Sequence, residues 1–279
     1  VLDLTTEAGR KTLLQLVAGA DIVFESAPPG LLRGNGVTFD DLRAANPHIV
    51  HVMVTPYGAD GPAAGRPAND LTLSAMGGQA ALQGLPDRAP LRVTTPQVFR
   101  HTGAEAAAGA MIGLARMQRT GQAQFVDLSA QCSATWTTMN AMDAAAVQGF
   151  DFERMGSTVQ LGVRQVDPVF PCADGYLVGV PAPAALESLL GHMLGDEVVD
   201  PAWLEEDWTT YPERALRGEE VVASPEEIRQ TFAAFFAKHT KAELFAIGLE
   251  TDVTLAPVNT VSDLLQFEQL AARQAWWET

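Results

Sequence analysis

Cysteine is scarce: Cys132 and Cys172 are the only two in 279 residues. Two thiols cannot build a disulfide framework, and no CxxC pair suggests a zinc or redox site. One bridge between them stays open, but a reducing cytoplasm is the simpler setting. Basic residues are also few, 18 Lys and Arg against 34 Asp and Glu, for a formal charge of −16. Such a field repels a polyanion and excludes general nucleic-acid binding, while leaving room for a local basic pocket around one phosphorylated ligand. No apolar run reaches the roughly 18 residues of a membrane span. The opening VLDLTTEAGRK lacks the basic-then-apolar order of a signal peptide, so a cytoplasmic protein is expected. There is no GxGxxG after a strand, no GxxxxGK[ST], no HExxH and no GxSxG. The five histidines do not fall at metal-ligand spacings, so no metal site is drawn from them.

What is present is a globular composition, 47% hydrophobic with 24 Gly and 17 Pro, at a length where one domain begins to divide into two. Leu13, Leu14 and Val17 share a helical face, and ADIVFES then reads as a short buried strand. FDDLRAANP reads as a helix capped by Thr38 or Asp40 and stopped near Pro47, and Ile49 to Val54 as the next strand. Strand–helix–strand steps with short links predict parallel pairing and an α/β class. A helix over NDLTLSAMGGQAALQG, an Ala-rich helix from Thr102 (as N-cap) to Arg119, a strand at QFVDLSA and a helix over 129–149 follow. The stretch after 150 has little periodicity and reads as a connector. FPCADGYLVGV is a turn plus strand, 183–195 and 225–248 are helical, VTLAPVN is strand-like, and VSDLLQFEQLAARQAWW is a final helix. The expected division is 1–164, a smaller domain at 165–256, and a segment 257–279 returning to the first.

A few residues have chemical potential. His101 precedes or opens the Ala-rich helix beside Arg100 and before Glu105; it is either a surface histidine with a capping acid or a proton shuttle. Asn69 and Asp70 open a helix as a capping pair or as site residues. Arg33, Arg66, Arg88 and Arg92 lie in or beside loops, and their convergence would make a phosphate pocket. Cys132 reads as a small buried hydrophobe, and Asp127 is given no functional weight.

The stretches LDLTTEAGRKTLLQLVAGADIVFES, PPGLL, FDDLRAANPHIVHVMVTPYGADGP, NDLTLSAMGG, GAEAAAGAMIGLARMQRTGQAQFVDLS, FPCADGYLVG and LAPVNTVSDLLQFEQLAARQ occur in this order from one end to the other. In them the chain resembles the class III CoA-transferases (CaiB/BaiF), the family of formyl-CoA and carnitine CoA-transferases and α-methylacyl-CoA racemases. The resemblance implies a large α/β domain with a Rossmann-like parallel sheet plus a smaller α/β domain, in an interlocked dimer. It also implies a preceding βα unit holding part of the CoA site, and a longer C-terminal tail, than this sequence contains.

At the level of the site the sequence departs from the family. Active transferases carry an Asp in a D-x-x-T-G pattern, and the matching segment here is Phe99-Arg100-His101-Thr102-Gly103. That Asp attacks the thioester to form an acyl-aspartyl anhydride, and phenylalanine cannot. Racemases use a His before an Asp, and transferases have Tyr there; this chain has Asn69 before Asp70. The family's E-N-F-x-P-G loop, a source of CoA contacts, reads Glu25-Ser26-Ala27-Pro28-Pro29-Gly30, and the usual arginine after it is displaced to Arg33.

The resemblance therefore implies a protein that handles or binds acyl-CoA without the standard nucleophile. It would be a partner subunit, as a homodimer or beside an active paralogue, with coenzyme A or an acyl-CoA as ligand through Ser26, Ala27, Arg33 and Arg66. No other cofactor, nucleic acid or membrane is called for. The alternatives are an active transferase, lyase or isomerase using His101, Glu105 or Asp70, and a structural protein without a ligand.

Overall fold

The computed structural model describes residues 1–26, 30–161, 164–179 and 183–276. Its first part alternates helices and strands: α1 (Glu7–Val17), β1 (Ile22–Ser26), α2 (Leu31–Gly34), α3 (Phe39–Ala45), β2 (Val50–Thr55), α4 (Asp70–Met76), α5 (Val98–Thr120), β3 (Gln124–Ser129) and α6 (Ala130–Trp136). Thr6 caps α1 by accepting from the Gly9 N–H. Thr38 caps α3 in a reciprocal box with Asp41, so of the two caps read from the sequence Thr38 is the one used. β1, β2 and β3 form a parallel sheet in that order, the α/β arrangement the sequence pattern predicts.

Register assigns each strand residue to a face. Val23, His51 and Phe125 are aligned across the sheet, as are Glu25, Met53 and Asp127, and with alternating side chains these six share one face. On that side Val17, Leu32, Val37, Leu42 and Ile49 form a buried cluster. The opposite face carries Val50, Val52 and Val126, packed against α5 through Ala106 and Ala110. The long helix sits close because its facing residues are small. A Cβ on Gly113 would fall 2.8 Å from Val50 Cγ1, and one on Gly109 3.1 Å from Val126 Cγ1.

Several helices are shorter or start elsewhere than the pattern suggests. α5 begins at Val98, so Thr102 is not its cap; it is buried one turn in, and its hydroxyl donates to the Val98 carbonyl at 2.7 Å. Gly77 and Gly78 end the helix expected to run to 84, Gly78 taking φ +90°, and a short 3₁₀ turn follows. The helix expected over 129–149 starts at Ala130, after the Ser129 cap, and breaks after Trp136. Cys132 is exposed on α6, where Ser133 and Ala134 face inward, so it is not the buried hydrophobe expected.

The described residues divide into two compact units, Val1–Gly156 and Ser157–Thr279. The division precedes a hairpin of β4 (Val159–Leu161) and β5 (Arg164–Val166), whose pairing keeps together a stretch read from the sequence as a connector and cut at 164. The second unit has an antiparallel sheet of β6 (Val169–Cys172), β7 (Gly175–Gly179) and β8 (Leu255–Pro257). Its core gathers Phe170, Leu186, Met193, Trp203, Phe232 and Phe236. Residues 258–276 pack within this unit: Lys241 Nζ meets Asp263 Oδ2 at 2.5 Å, and the Phe245 and Phe267 rings lie 6.0 Å apart. The expected 225–248 helix is two, Pro225–Lys238 and Lys241–Thr251, the second newly capped by Thr240.

Two substitutions on one helix test the close seat of α5. Gly113→Leu should destabilise the protein by about 2 kcal/mol or more through overpacking against Val50. Gly103→Ala, whose Cβ meets nothing within 4 Å, should stabilise it by roughly 0.5–1 kcal/mol through helix propensity. Denaturant midpoints check both.

Candidate functional site

In parallel α/β sheets the strands' carboxyl ends are where loops leave an open crevice. Here β1 ends at Glu25 and Ser26, β2 at Val54 and Thr55, and β3 at Leu128 and Ser129. The loop after β2 is pinned to this edge. The Thr55 hydroxyl accepts from the Gly58 N–H at 2.8 Å, and both Asp127 carboxylate oxygens lie 3.0 Å from the Ala59 N–H that donates to them. Gly58 adopts φ +98°, a conformation that glycine enters without steric cost. A cavity opens on each side of the edge.

On the α3 side the cavity is about 470 Å³, walled by Glu25, Arg33, Thr38, Phe39, His51 and Phe125 among others. Its floor holds a buried polar pair: His51 Nε2 and Glu25 Oε2 are 3.1 Å apart, and the two residues are 4% and 7% exposed. Glu25 Oε1 accepts from the Leu32 N–H at 3.0 Å, so one carboxylate ties β1 to β2 and to α2. With ionised Glu25 as acceptor, Nε2 is the donor; Nδ1 is buried with no protein partner. Phe39 stacks near-parallel to His51 at 6.2 Å, and Phe125 is tilted against it at 5.2 Å. Burial pushes the imidazole below its ordinary pKa, and Glu25 pulls it back up.

On the α5 side a second cavity, about 450 Å³, is lined by Ser26, Val54 and the first turns of α5, with Phe99 at 49% exposure. Asp70 does not line it. Its Oδ1 accepts from the Phe99 N–H at 3.1 Å and its Oδ2 from the Gln97 N–H at 3.2 Å, so it supplies the cap α5 otherwise lacks. Asn69 caps α4 in a box with Thr72. His101 and Glu105 both lie in α5, at the helical spacing that would let them meet, but Glu105 turns to α6 and accepts from the Ser133 hydroxyl at 2.6 Å. His101 is exposed.

Of the four loop arginines, Arg88 is exposed, with its Nε 4.0 Å from Asp87 Oδ1. Arg33 lines the first cavity and Arg92 a separate one of about 70 Å³ beside Asp70, while Arg66 is exposed and lines neither. Ser26 lies exposed at the end of β1, and Ala27 falls outside the described residues. The Glu25–His51 pair was not foreseen; its signal, a carboxylate and an imidazole on facing strands, is legible only once the β1–β2 register is known. The second unit holds a larger groove of about 970 Å³, but its Lys241 and Asp263 neutralise each other, with Asp263 held down at about 2 by that ammonium. Among the described residues no cluster of His, Cys, Asp or Glu could hold a metal ion, and no helix is long and apolar enough to cross a membrane.

The buried pair makes two predictions. Glu25→Ala strands His51 Nε2 and the Leu32 N–H together and should cost about 3 kcal/mol or more in unfolding free energy. An unfolded His51 takes up a proton near pH 6.5, whereas the folded one resists it, so its contribution is intact above about 6.5 and is lost as pH falls. His51→Gln should therefore lose less stability than the parent between about pH 7 and pH 5. Equal slopes by thermal unfolding would refute the assignment.

The CoA-transferase family III model matches residues 1–279. The succinyl-CoA:(R)-benzylsuccinate CoA-transferase subunit BbsE of Thauera aromatica is 34% identical, over 99% of this chain and 66% of that protein. The succinyl-CoA–L-malate CoA-transferase alpha subunit of Chloroflexus aurantiacus is 26% identical, over 98% of this chain and 61% of that one. The chain thus spans slightly less than two thirds of these relatives' lengths. A solved CaiB/BaiF family protein from Brucella suis has a TM-score of 0.72 at 26% identity, covering 98% of this chain and 69% of its own. With a match from first residue to last and the parallel sheet in place, the chain belongs to CoA-transferase family III.

Proposed function

We propose that this chain binds a CoA thioester across the carboxyl end of the β1–β2–β3 sheet and serves as a CoA-transferase subunit without a nucleophile of its own. The observation that carries this reading is the state of the carboxylates around Phe99. Covalent transfer needs a carboxylate free to attack the thioester carbon. Position 99 offers a phenyl ring, Asp70 spends both oxygens on backbone N–H groups of α5, and Glu105 is held by Ser133. His101 has no acidic or carbonyl partner among the described residues to fix its tautomer, as a general base requires.

The α3-side cavity suits the nucleotide end of CoA. Phe39 and Phe125 offer ring faces to a base, and Arg33 is a guanidinium for a phosphate. Ser26, at the tip of β1, lies where a ligand would pass from one face of the sheet to the other. Arg66 lies on the exposed loop after β2 and lines neither cavity, so Arg33 is the phosphate contact on which the proposal rests. Two relatives are named as subunits of CoA-transferases, which supports a heteromer with a paralogue that carries the aspartate, in the interlocked form the family resemblance implies.

Calorimetric titration of CoA into the purified chain should give saturable binding, weakened about tenfold or more by Arg33→Ala. The chain alone should move no acyl group from acetyl-CoA or succinyl-CoA to an acceptor acid. Turnover by the chain alone, abolished by His101→Ala, would overturn the subunit reading and make this an enzyme with relocated chemistry.

A further inference from the structure

The α5-side cavity differs in chemistry from its neighbour across the sheet. The α3-side cavity carries Glu25, Arg33, Asp40 and His51 among apolar neighbours; the α5-side one has no charged side chain among its lining residues. Phe24 and Val54 come from the strands and Phe99, Ala106 and Ala107 from α5. Of the two hydroxyls, that of Thr102 is spent on the Val98 carbonyl, leaving only Ser26. Phe24 and Phe99 are 54% and 49% exposed, large apolar surfaces left open to water at the mouth of a concavity. A volume of about 450 Å³ lies within the range of small-molecule sites, about 300–1,000 Å³.

We infer that this cavity is the acyl site and selects an uncharged, apolar acyl group, aryl above all, over one that ends in a carboxylate. The inference rests on the CoA-thioester reading and adds the substrate class to it. A ring inserted beside Phe24 and Phe99 buries apolar area on both sides and gains edge or offset stacking. A carboxylate in the same place gives up its hydration and meets no cation. Consecutive residues at the end of β1 line the two cavities, Glu25 the one with charged groups and Ser26 the apolar one. A single ligand crossing the strand tip at Ser26 would therefore place its phosphates and its acyl group in surroundings matched to each.

Gly103 supplies the test. It lines the cavity, it is helical, and a Cβ there meets nothing within 4 Å. Gly103→Leu therefore grows into empty space without disturbing the fold, which circular dichroism and the denaturation midpoint would check. Phenylacetyl-CoA, succinyl-CoA and free CoA are titrated calorimetrically into the full chain. Phenylacetyl-CoA should bind at least tenfold more tightly than succinyl-CoA, and Gly103→Leu should erase that margin, as should Phe24→Ala. Equal or tighter binding of succinyl-CoA, or a margin that survives both substitutions, would overturn the inference while leaving CoA binding in place. Failure of all three ligands to bind would overturn both.

Discussion

The rest of the first unit depends on how near α5 lies to the sheet. Ala106, Gly109, Ala110 and Gly113 present almost no side chain to Val50, Val52 and Val126, so helix and strands approach more closely than leucines would permit. That separation sets where the first turn of α5 falls relative to the strand tips. It brings Phe99 level with Ser26 and Val54 and leaves Gly103 facing open space. A bulkier contact row would lift the helix and carry the cavity away from the strand ends. The small residues thus do two jobs along one helix: at 106–113 they permit contact, and at 103 and 107 they permit vacancy.

The two faces of the sheet divide the polar work unequally. One face buries a carboxylate and an imidazole, a costly choice that holds only because each Glu25 oxygen has a partner. In return three elements are fixed with respect to one another: β1 and β2 by the pair, and α2 by its Leu32 amide. Arg33 follows directly on Leu32, so the placement of the guanidinium depends on a buried hydrogen bond one residue away. The other face is apolar almost throughout and relies on packing alone.

How much of this was legible in the sequence varies with the range of the interaction. Local rules find the strands Ile22–Ser26 and Val50–Thr55, the Thr38 cap and the stop before Pro47, because alternation, capping and proline act over a few residues. They fail at Thr102, where a threonine before Gly103 looks like a cap but the helix starts a turn earlier. The true cap is Asp70, distant in sequence, and no local pattern reveals it. They fail likewise over 69–84, 129–149 and 225–248, where Gly77-Gly78, the break after Trp136 and the Thr240 cap interrupt helical periodicity that otherwise continues. Family resemblance points to Phe99, Ser26 and Arg33, which line the two cavities, to Asn69, which caps α4, and to Ala27, which lies outside the described residues. It could not tell that Glu105 turns away to Ser133, since that depends on the packing of α5 on α6.

Asp70 has an electrostatic consequence as well. The amino end of a helix carries a partial positive charge that can stabilise an anion docked there. In this chain a carboxylate from the start of α4 already occupies that end and takes up the Gln97 and Phe99 amides. The field that α5 projects toward the strand tips is correspondingly muted, and an incoming oxyanion would find a like charge where the helix would otherwise attract it. The apolar cavity at Phe99 is therefore also an electrostatically quiet one, suited to holding a neutral group more than to drawing negative charge onto a reacting carbonyl.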